Sequence, residues 1–241
     1  MEILVNHLRK DYGKQKALDI SHLAVRAGEL VGIIGNNGAG KTTLFRLLLD
    51  LIRATSGSIQ TAGREVAGSD HWKPKTGSFL DEGFLIDFLS PEEFFHFTGR
   101  LYGLSPAQTD ESLEAFARFM NGEILGQKKY IRQFSTGNRQ KIGIIAAMMV
   151  RPALLVLDEP FNFLDPSSQI LIKRMLQQEN ESRGTTMLLS SHNLNHITEI
   201  CTRIILLERG KIVRDIRLPE DGLEEIEQYF SVNAGPEKEG K

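Results

Sequence analysis

A glycine-rich stretch, G-N-N-G-A-G-K-T-T at residues 35–43, constrains the fold of this chain more than any other feature. It follows the apolar run L-V-G-I-I at 30–34 and precedes a leucine-rich segment at 44–49, so the order strand, loop, helix is predicted. In that context G-x-x-x-x-G-K-[ST] indicates a phosphate-binding loop, because glycines let successive N–H groups point inward and the helix start adds partial positive charge. A bound nucleotide is therefore expected. The alternative, a glycine turn with a chance lysine, is disfavoured by the flanking elements.

Two side chains of the loop and two carboxylates carry the predicted phosphate chemistry. Lys41 is placed to reach the β- and γ-phosphates, and the Thr42 hydroxyl to coordinate a bridging Mg²⁺. A parallel sheet gathers its ligands at the carboxyl ends of its strands, and the apolar strand at 154–157 ends in Asp158 and Glu159. Both carboxylates are therefore expected beside the loop rather than in a solvated turn.

Three further residues are candidates on weaker signals. His192 directly follows the predicted strand at 186–190, so it falls at the same edge of the sheet, which favours function over a structural role. Tyr12, in a predicted turn at 11–13, is either a base-stacking aromatic or a locally packed residue. Ser135 opens a predicted helix, where an ordinary helix cap is the alternative.

Composition restricts the classes of function. The 241 residues contain 29 Lys and Arg against 31 Asp and Glu, with a net charge of -2 and the signs interspersed, so no basic footprint for nucleic acid is expected. The one cysteine, Cys201, excludes an internal disulfide and a multi-cysteine metal site, and we expect it to be packed. No stretch approaches about 18 uninterrupted apolar residues. We therefore expect a chain that is soluble by itself, with any membrane role supplied through a partner.

The remaining elements are predicted from hydrophobic period and from cap signals. A helix at 41–52 is expected to bury Leu44, Leu47, Leu48 and Leu51. Further strands are expected at 3–8, 21–25, 58–61, 76–80, 203–207 and 211–216, and further helices at 166–180 and 221–229. The last two of these strands read as a hairpin, and the tail at 232–241 as disordered.

Residues 84–150 lack convincing strands and are predicted to form a helical insertion. Ser90 is the predicted N-cap of one helix, with Pro91 at the first helical position and Glu93 completing a capping box, and a second helix is predicted from Ser105 towards Met120. Phenylalanines are dense in this block, most of them expected in the core and some exposed to a partner. That contact surface is predicted near Phe84, Phe88, Phe94 and Phe95, next to Glu82.

Taken in order and at their spacings, the motifs resemble the ATPase subunit of an ATP-binding cassette (ABC) transporter. The motifs that carry the resemblance lie at 35–43, 134–141, 154–159, 164–165 and 191–192, and it covers residues 12–208. The short single cassette is similar to subunits of bacterial export-type systems. The resemblance implies that ATP phosphates and Mg²⁺ are held by Asn37, Gly38, Ala39, Gly40, Lys41, Thr42 and Thr43.

By the same resemblance, Tyr12 stacks on adenine, and Asp158 orients a Mg²⁺-bound water. Glu159 is implied to be the general base on the attacking water, with His192 contacting the γ-phosphate and Lys41 as a further catalytic residue.

Two motifs imply a second subunit. Ser135 and Gly137 match the signature loop, which in the family reaches the nucleotide bound on the other subunit. Asp165 is implied to lie in the loop that links the two subunits.

The sequence departs from the family pattern at several positions. Glu82 is the best match where the family usually has a glutamine, and its carboxylate is able to bind Mg²⁺ or water but not to donate as an amide does. Thr136 and Asn138 replace a common glycine and a common glutamine in the signature. Phe161 and Phe163 stand where small residues are common.

The sequence therefore predicts an α/β protein: a P-loop NTPase core with a mostly parallel sheet, an N-terminal antiparallel β subdomain and a helical subdomain insertion. One ABC ATPase domain is predicted at 1–231, with the α/β body at 1–82 and 151–231 and the helical subdomain at 83–150.

The predicted function is an ATPase that dimerises around two MgATP, as a homodimer or heterodimer, and drives an integral membrane permease from the cytoplasmic face. No nucleic-acid partner is expected. The rivals are a small-molecule P-loop kinase and a soluble, ATP-dependent clamp on nucleic acid or ribosomes.

Overall fold

A computed structural model describes residues 1–218 of the chain. The strands are β1 (Ile3–Tyr12), β2 (Gln15–Val25), β3 (Leu30–Ile34), β4 (Ser56–Thr61), β5 (Arg64–Glu65), β6 (Thr76–Phe79), β7 (Leu154–Leu157), β8 (Thr186–Ser191), β9 (Arg203–Glu208) and β10 (Lys211–Arg217). The helices are α1 (Lys41–Leu48), α2 (Pro91–Leu101), α3 (Pro106–Glu114), α4 (Ala117–Met120), α5 (Thr136–Met148), α6 (Pro166–Arg183) and α7 (Leu194–Thr198). The helix predicted at 221–229 and the tail at 232–241 lie outside the described residues.

Two sheets form the body, and the predicted fold class is confirmed. An antiparallel sheet has the strand order β2-β1-β4-β5, and a second sheet has the order β10-β9-β3-β8-β7-β6. In the second sheet β10 pairs antiparallel with β9, as the predicted hairpin requires, and the other neighbours are parallel.

The register of the parallel sheet brings the candidate site together. β3, β7 and β8 are buried along their whole length, because helices or the antiparallel sheet cover both faces. Ile34 at the end of β3 pairs with Ser191 of β8, and Leu157 at the end of β7 pairs with Leu189 of β8. The end of β8 therefore lies between the phosphate loop and the two carboxylates that follow β7.

The helices α2 to α5 fall between β6 and β7, as the sequence predicts. Ser90 caps α2 with the full capping box, its hydroxyl accepting from the Glu93 amide at 3.2 Å while Glu93 accepts from the Ser90 amide at 2.8 Å. The predicted contact role is wrong for Phe94 and Phe95, which are 7% and 0% exposed in the main core. Both lie on the face of α2 that packs inward.

Some element boundaries also differ from the predictions. The helix after the phosphate loop ends at Leu48, not at residue 52, so Leu51 lies beyond it and is 48% exposed instead of buried. β1 and β2 are longer than predicted, and Tyr12 closes β1 rather than occupying a turn. The predicted packing of Cys201 is confirmed, and burial raises the pKa of its thiol.

Candidate nucleotide site

The phosphate loop joins β3 to α1, and its path requires glycine at two positions. Gly40 has φ 109, a left-handed conformation that favours glycine. A Cβ on Gly35 would lie 2.3 Å from the carbonyl oxygen of Leu207 in β9. Because the loop passes this close to the sheet, its amides are held at the start of α1, where an anion is stabilised.

Lys41 is the buried cation of the site. Its Nζ donates to the carbonyl oxygen of Gly35 at 2.7 Å and lies 3.3 Å from Oε1 of Glu159. A buried ammonium needs such partners, because an unpaired charge is costly away from water. The lysine is therefore held across the mouth of the loop, beside the candidate base.

Thr42 and Asp158 form a pair of oxygen ligands. The Thr42 hydroxyl donates to Oδ2 of Asp158 at 2.5 Å, and the Ser190 hydroxyl donates to Oδ1 of the same carboxylate. Burial raises the pKa of Asp158, opposed by the bonds from Ser190 and Thr42. A hydroxyl and a carboxylate side by side are ligands that suit Mg²⁺, which usually takes one or two carboxylates and keeps several waters. A cation there would offset the desolvation of Asp158.

Glu159 is held by its backbone as well as by its side chain. Its N–H donates to the Ser190 hydroxyl at 2.8 Å, and its carbonyl accepts from Nε2 of Gln140 at 3.1 Å. Nδ1 of His192 lies 2.9 Å from Oε2 of Glu159, and since an ionised carboxylate only accepts, the histidine donates there. The structure thus brings Lys41, Asp158, Glu159 and His192 together, as predicted.

A cleft of about 620 Å³ opens above the loop. Tyr12 lies in its wall, and the predicted phosphate-binding residues from Asn37 to Thr43 line it together with Glu159. The cleft is also lined by four residues that sequence reasoning missed: Gln15, Lys16, Ala17 and Arg209. Arg209 comes from the β9–β10 turn, whose Gly210 donates to the carbonyl of Ala39 at 2.8 Å. No local motif indicates that this turn reaches the phosphate loop, because only the order of strands in the sheet brings the two together.

The signature residues lie apart from this cleft. Ser135 is the N-cap of α5, its hydroxyl accepting from the Asn138 amide at 3.3 Å, and neither Ser135 nor Gly137 lines the cleft of the same chain. A Cβ on Gly137 would lie 2.6 Å from the carbonyl of Phe163, so glycine is needed for this close approach. Ser135 is exposed at the start of a helix, a position suited to an anion.

Asp165 and Glu82 are also outside the cleft. Asp165 is the N-cap of α6, its carboxylate accepting from the amide of Ser168 at 3.0 Å, and bonds from Ser167 and Ser168 lower its pKa. Glu82 pairs with Arg139 of α5, with Oε2 and Nη2 2.9 Å apart. Glu82 lines a neighbouring cleft that also includes Asp158 and Glu159, so it lies near the predicted metal pair without contacting it.

The fold and the site define a P-loop nucleotide-binding protein, with its loop, candidate cation ligands and candidate base at one edge of a parallel sheet. The model of the ABC transporter family matches residues 18–162. An ABC transporter ATP-binding protein of Bacillus subtilis (strain 168), YhaQ, described as uncharacterized, is 34% identical over 218 residues, which is 90% of this chain and 72% of that protein. The lantibiotic transport ATP-binding protein SrtF of Streptococcus pyogenes is 33% identical, over 94% of this chain and 95% of its own length.

Solved structures agree with these matches. The structure of an ATP-binding subunit of an ABC transporter aligns with a TM-score of 0.82 and 27% identity, covering 97% of this chain and 95% of that one. A dimeric bacterial ABC transporter cassette aligns with a TM-score of 0.82 and 24% identity, which bears on the fold alone.

The chain belongs to the ABC transporter family, and it is an ATP-binding ATPase cassette of that family. Within the described residues, 1–218, no helix has the length and apolar character needed to cross a bilayer.

Proposed function

We propose that this cassette dimerises head to tail around two MgATP and drives a separate membrane permease from the cytoplasmic side. The observation that carries the proposal is the position of Ser135 and Gly137, outside the nucleotide cleft of their own chain. An exposed helix N-terminus with a serine cap suits an anion. In a head-to-tail dimer that anion would be the γ-phosphate of the ATP bound by the second copy.

In the proposed reaction, the residues of one cleft bind the phosphates, orient the general base and take a proton from the attacking water. The loop amides and Lys41 hold the phosphates, and Lys41 leaves its contact with Glu159 as it turns to them. Glu159 accepts a proton from the attacking water, and His192 orients the carboxylate and contacts the γ-phosphate.

Thr42 and Asp158 would hold Mg²⁺, with Glu82 as a further, outer ligand. When bound, the ion would neutralise negative charge on the phosphates. Tyr12 stacks on adenine and Asp165 lies at the subunit interface.

The proposed partners follow from the relatives and from the exposed aromatics. SrtF, and the bacitracin transport protein BcrA of Bacillus licheniformis at 33% identity, are named as transport ATP-binding proteins, which favours transport over the kinase and clamp alternatives. Export of a peptide antibiotic is accordingly the first activity to test. Phe84 and Phe88, which are exposed beside Glu82, form the proposed permease contact.

The test uses the Glu159→Gln variant with light scattering, which measures mass in solution with and without MgATP. We expect ATP hydrolysis to fall by about 10²- to 10⁴-fold, as for a lost general base, while ATP binding persists and the mass doubles. Turnover at the wild-type rate would refute Glu159 as the base. A variant that stays monomeric with ATP bound would refute the shared site.

A matched control separates binding from dimerisation. In Glu159→Gln, a second substitution, Ser135→Arg, should leave the ATP affinity of the monomer unchanged and abolish the doubling of mass, because Ser135 does not line its own cleft. If the second substitution instead weakens ATP binding by the monomer, the signature acts on its own nucleotide and the head-to-tail arrangement is wrong.

A further inference from the structure

The end of β1 is built to direct one aromatic ring. The pairing of β1 with β2 shifts register between Lys10 and Asp11, just before Tyr12. Such an irregularity bends a strand and re-aims the side chains beside it. Tyr12 lines the nucleotide cleft, yet it is 49% exposed, so packing alone leaves much of the ring unsupported.

Lys10 supplies that support. Its Nζ lies over the Tyr12 ring, 4.9 Å from the centroid, and donates to the carbonyl oxygen of Arg53 at 2.8 Å. The ammonium is therefore fixed by a backbone acceptor on one side and an aromatic face on the other. Tyr12 lines the cleft and Lys10 does not, so the ring, and not the ammonium, borders the space for the nucleotide.

The anchor for Lys10 is itself held in place. The segment after α1 bonds to the backbone of β1 on both sides of Lys10. The Thr55 amide donates to the carbonyl of Arg9 at 2.7 Å, and the Asp11 amide donates to the Thr55 hydroxyl at 2.9 Å. The Arg53 carbonyl, two residues before Thr55, is thus a fixed point from which Lys10 holds the ring.

We propose that Lys10 is a positioning residue for nucleotide binding: it holds Tyr12 in the orientation that presents the free face of its ring to the base. This rests on the proposed stacking role of Tyr12. An aromatic ring stacks on any base, so Lys10 would affect the affinity for nucleotides of every base. Loss of an exposed cation–π contact corresponds to about a 2- to 5-fold weaker affinity.

The experiment compares ADP with inorganic tripolyphosphate, both measured by calorimetry on the full chain. Both ligands carry phosphates for the loop, and only ADP carries a base. Lys10→Met keeps the aliphatic stem and should weaken ADP binding about 2- to 5-fold, leaving tripolyphosphate unchanged. Lys10→Arg keeps a cation and a donor and should restore ADP affinity. Lys14→Met is the matched control, since Lys14 carries the same charge in the turn of this hairpin and does not line the cleft.

The Tyr12→Ala background decides how Lys10 acts. Tyr12→Ala should weaken the binding of ADP and not that of tripolyphosphate. Adding Lys10→Met to Tyr12→Ala should produce no further loss of ADP affinity. If Tyr12→Ala leaves ADP affinity intact, the stacking role of Tyr12 fails. If Tyr12→Ala weakens ADP while Lys10→Met matches the Lys14 control, the positioning role of Lys10 is overturned. An equal loss for tripolyphosphate in Lys10→Met overturns it too, because Lys10 would then act as a general charge. Thermal unfolding of each variant checks that the chain is folded.

Discussion

Ser190 connects the carboxylate of Asp158 to the backbone of Glu159, although no motif marks it. Its side chain is 0% exposed at the end of β8. The hydroxyl donates to Oδ1 of Asp158 and accepts from the amide of Glu159 at 2.8 Å. The substitution Ser190→Ala removes both bonds at once: Oδ1 of Asp158 and the N–H of Glu159 lose this partner, while Oδ2 of Asp158 keeps its bond from Thr42.

The magnitude follows from the two bonds. A hydrogen bond to a charged group contributes about 1.5–3 kcal/mol, and an unsatisfied donor away from water costs about 1–3 kcal/mol. Since the two losses share one atom, they do not add fully, and we expect the free energy of unfolding to fall by about 3 kcal/mol. Ser191→Ala is the control on the same strand: its hydroxyl accepts a single bond from the Asn193 amide, so about 1 kcal/mol is expected.

Function should change in the same variant through the charge of Asp158. The bond from Ser190 lowers the pKa of this carboxyl against the larger effect of burial, so its removal raises the pKa further. A larger fraction is then protonated and unable to hold Mg²⁺. The Mg²⁺ concentration for half-maximal ATPase activity should rise, and the rise should grow as the pH is lowered.

Urea unfolding and Mg²⁺ titrations of ATPase activity measure the two effects, for Ser190→Ala and Ser191→Ala side by side. Equal losses of stability in the two variants would show that the bonds that Ser190 makes with Asp158 and Glu159 contribute no more than the single bond that Ser191 accepts. An unchanged Mg²⁺ requirement at every pH would remove Asp158 from the proposed cation site.

Two further predictions concern the helical insertion and α6. Phe95→Ala should cost about 3–5 kcal/mol in urea unfolding because the ring is buried in the core, whereas Phe88→Ala, at 68% exposed, should cost less than about 0.5 kcal/mol and instead reduce permease-coupled transport in vesicles. Asp165→Ala should lose about 1 kcal/mol through the lost cap of α6, and Asp165→Asn should retain most of it. Because folding lowers the pKa of Asp165, the stabilisation that comes from its charge is present above its unfolded pKa, about 4, and is lost as the pH falls, which unfolding at several pH values measures.

Local signals predicted much of the fold. The buried runs that form β3 and β7 are continuous apolar segments bounded by turn residues. The Ser90 capping box is a short contiguous pattern, and both of its hydrogen bonds form as the sequence predicts. Asp158 and Glu159 were predicted beside the loop because strand ends in a parallel sheet share an edge. Such inferences need only the sequence of a segment and one rule of packing.

Features set by distant contacts were missed. Helical period alone placed Leu51 in the core, yet α1 ends before it, and β1 then bonds to the segment that follows. Phe95 and Phe88 have equal hydrophobicity, but Phe95 lies on the inward face of α2 whereas Phe88 lies before that helix begins and is exposed. Arg209 lies nearly the whole chain away from Tyr12, so its place in the cleft depends on the sheet order.

The backbone of Glu159 has a consequence for variation at this position. Its φ is 49, a left-handed conformation that costs a residue with a Cβ about 1–2 kcal/mol and costs glycine little. Among variants that lack a carboxylate at residue 159, a library screened only for heat resistance should therefore enrich glycine, whereas a screen for turnover should retain glutamate. Comparing the stability of the glycine and glutamate forms would measure the balance between the strain of this backbone and the pairing of the carboxylate with Lys41 and His192.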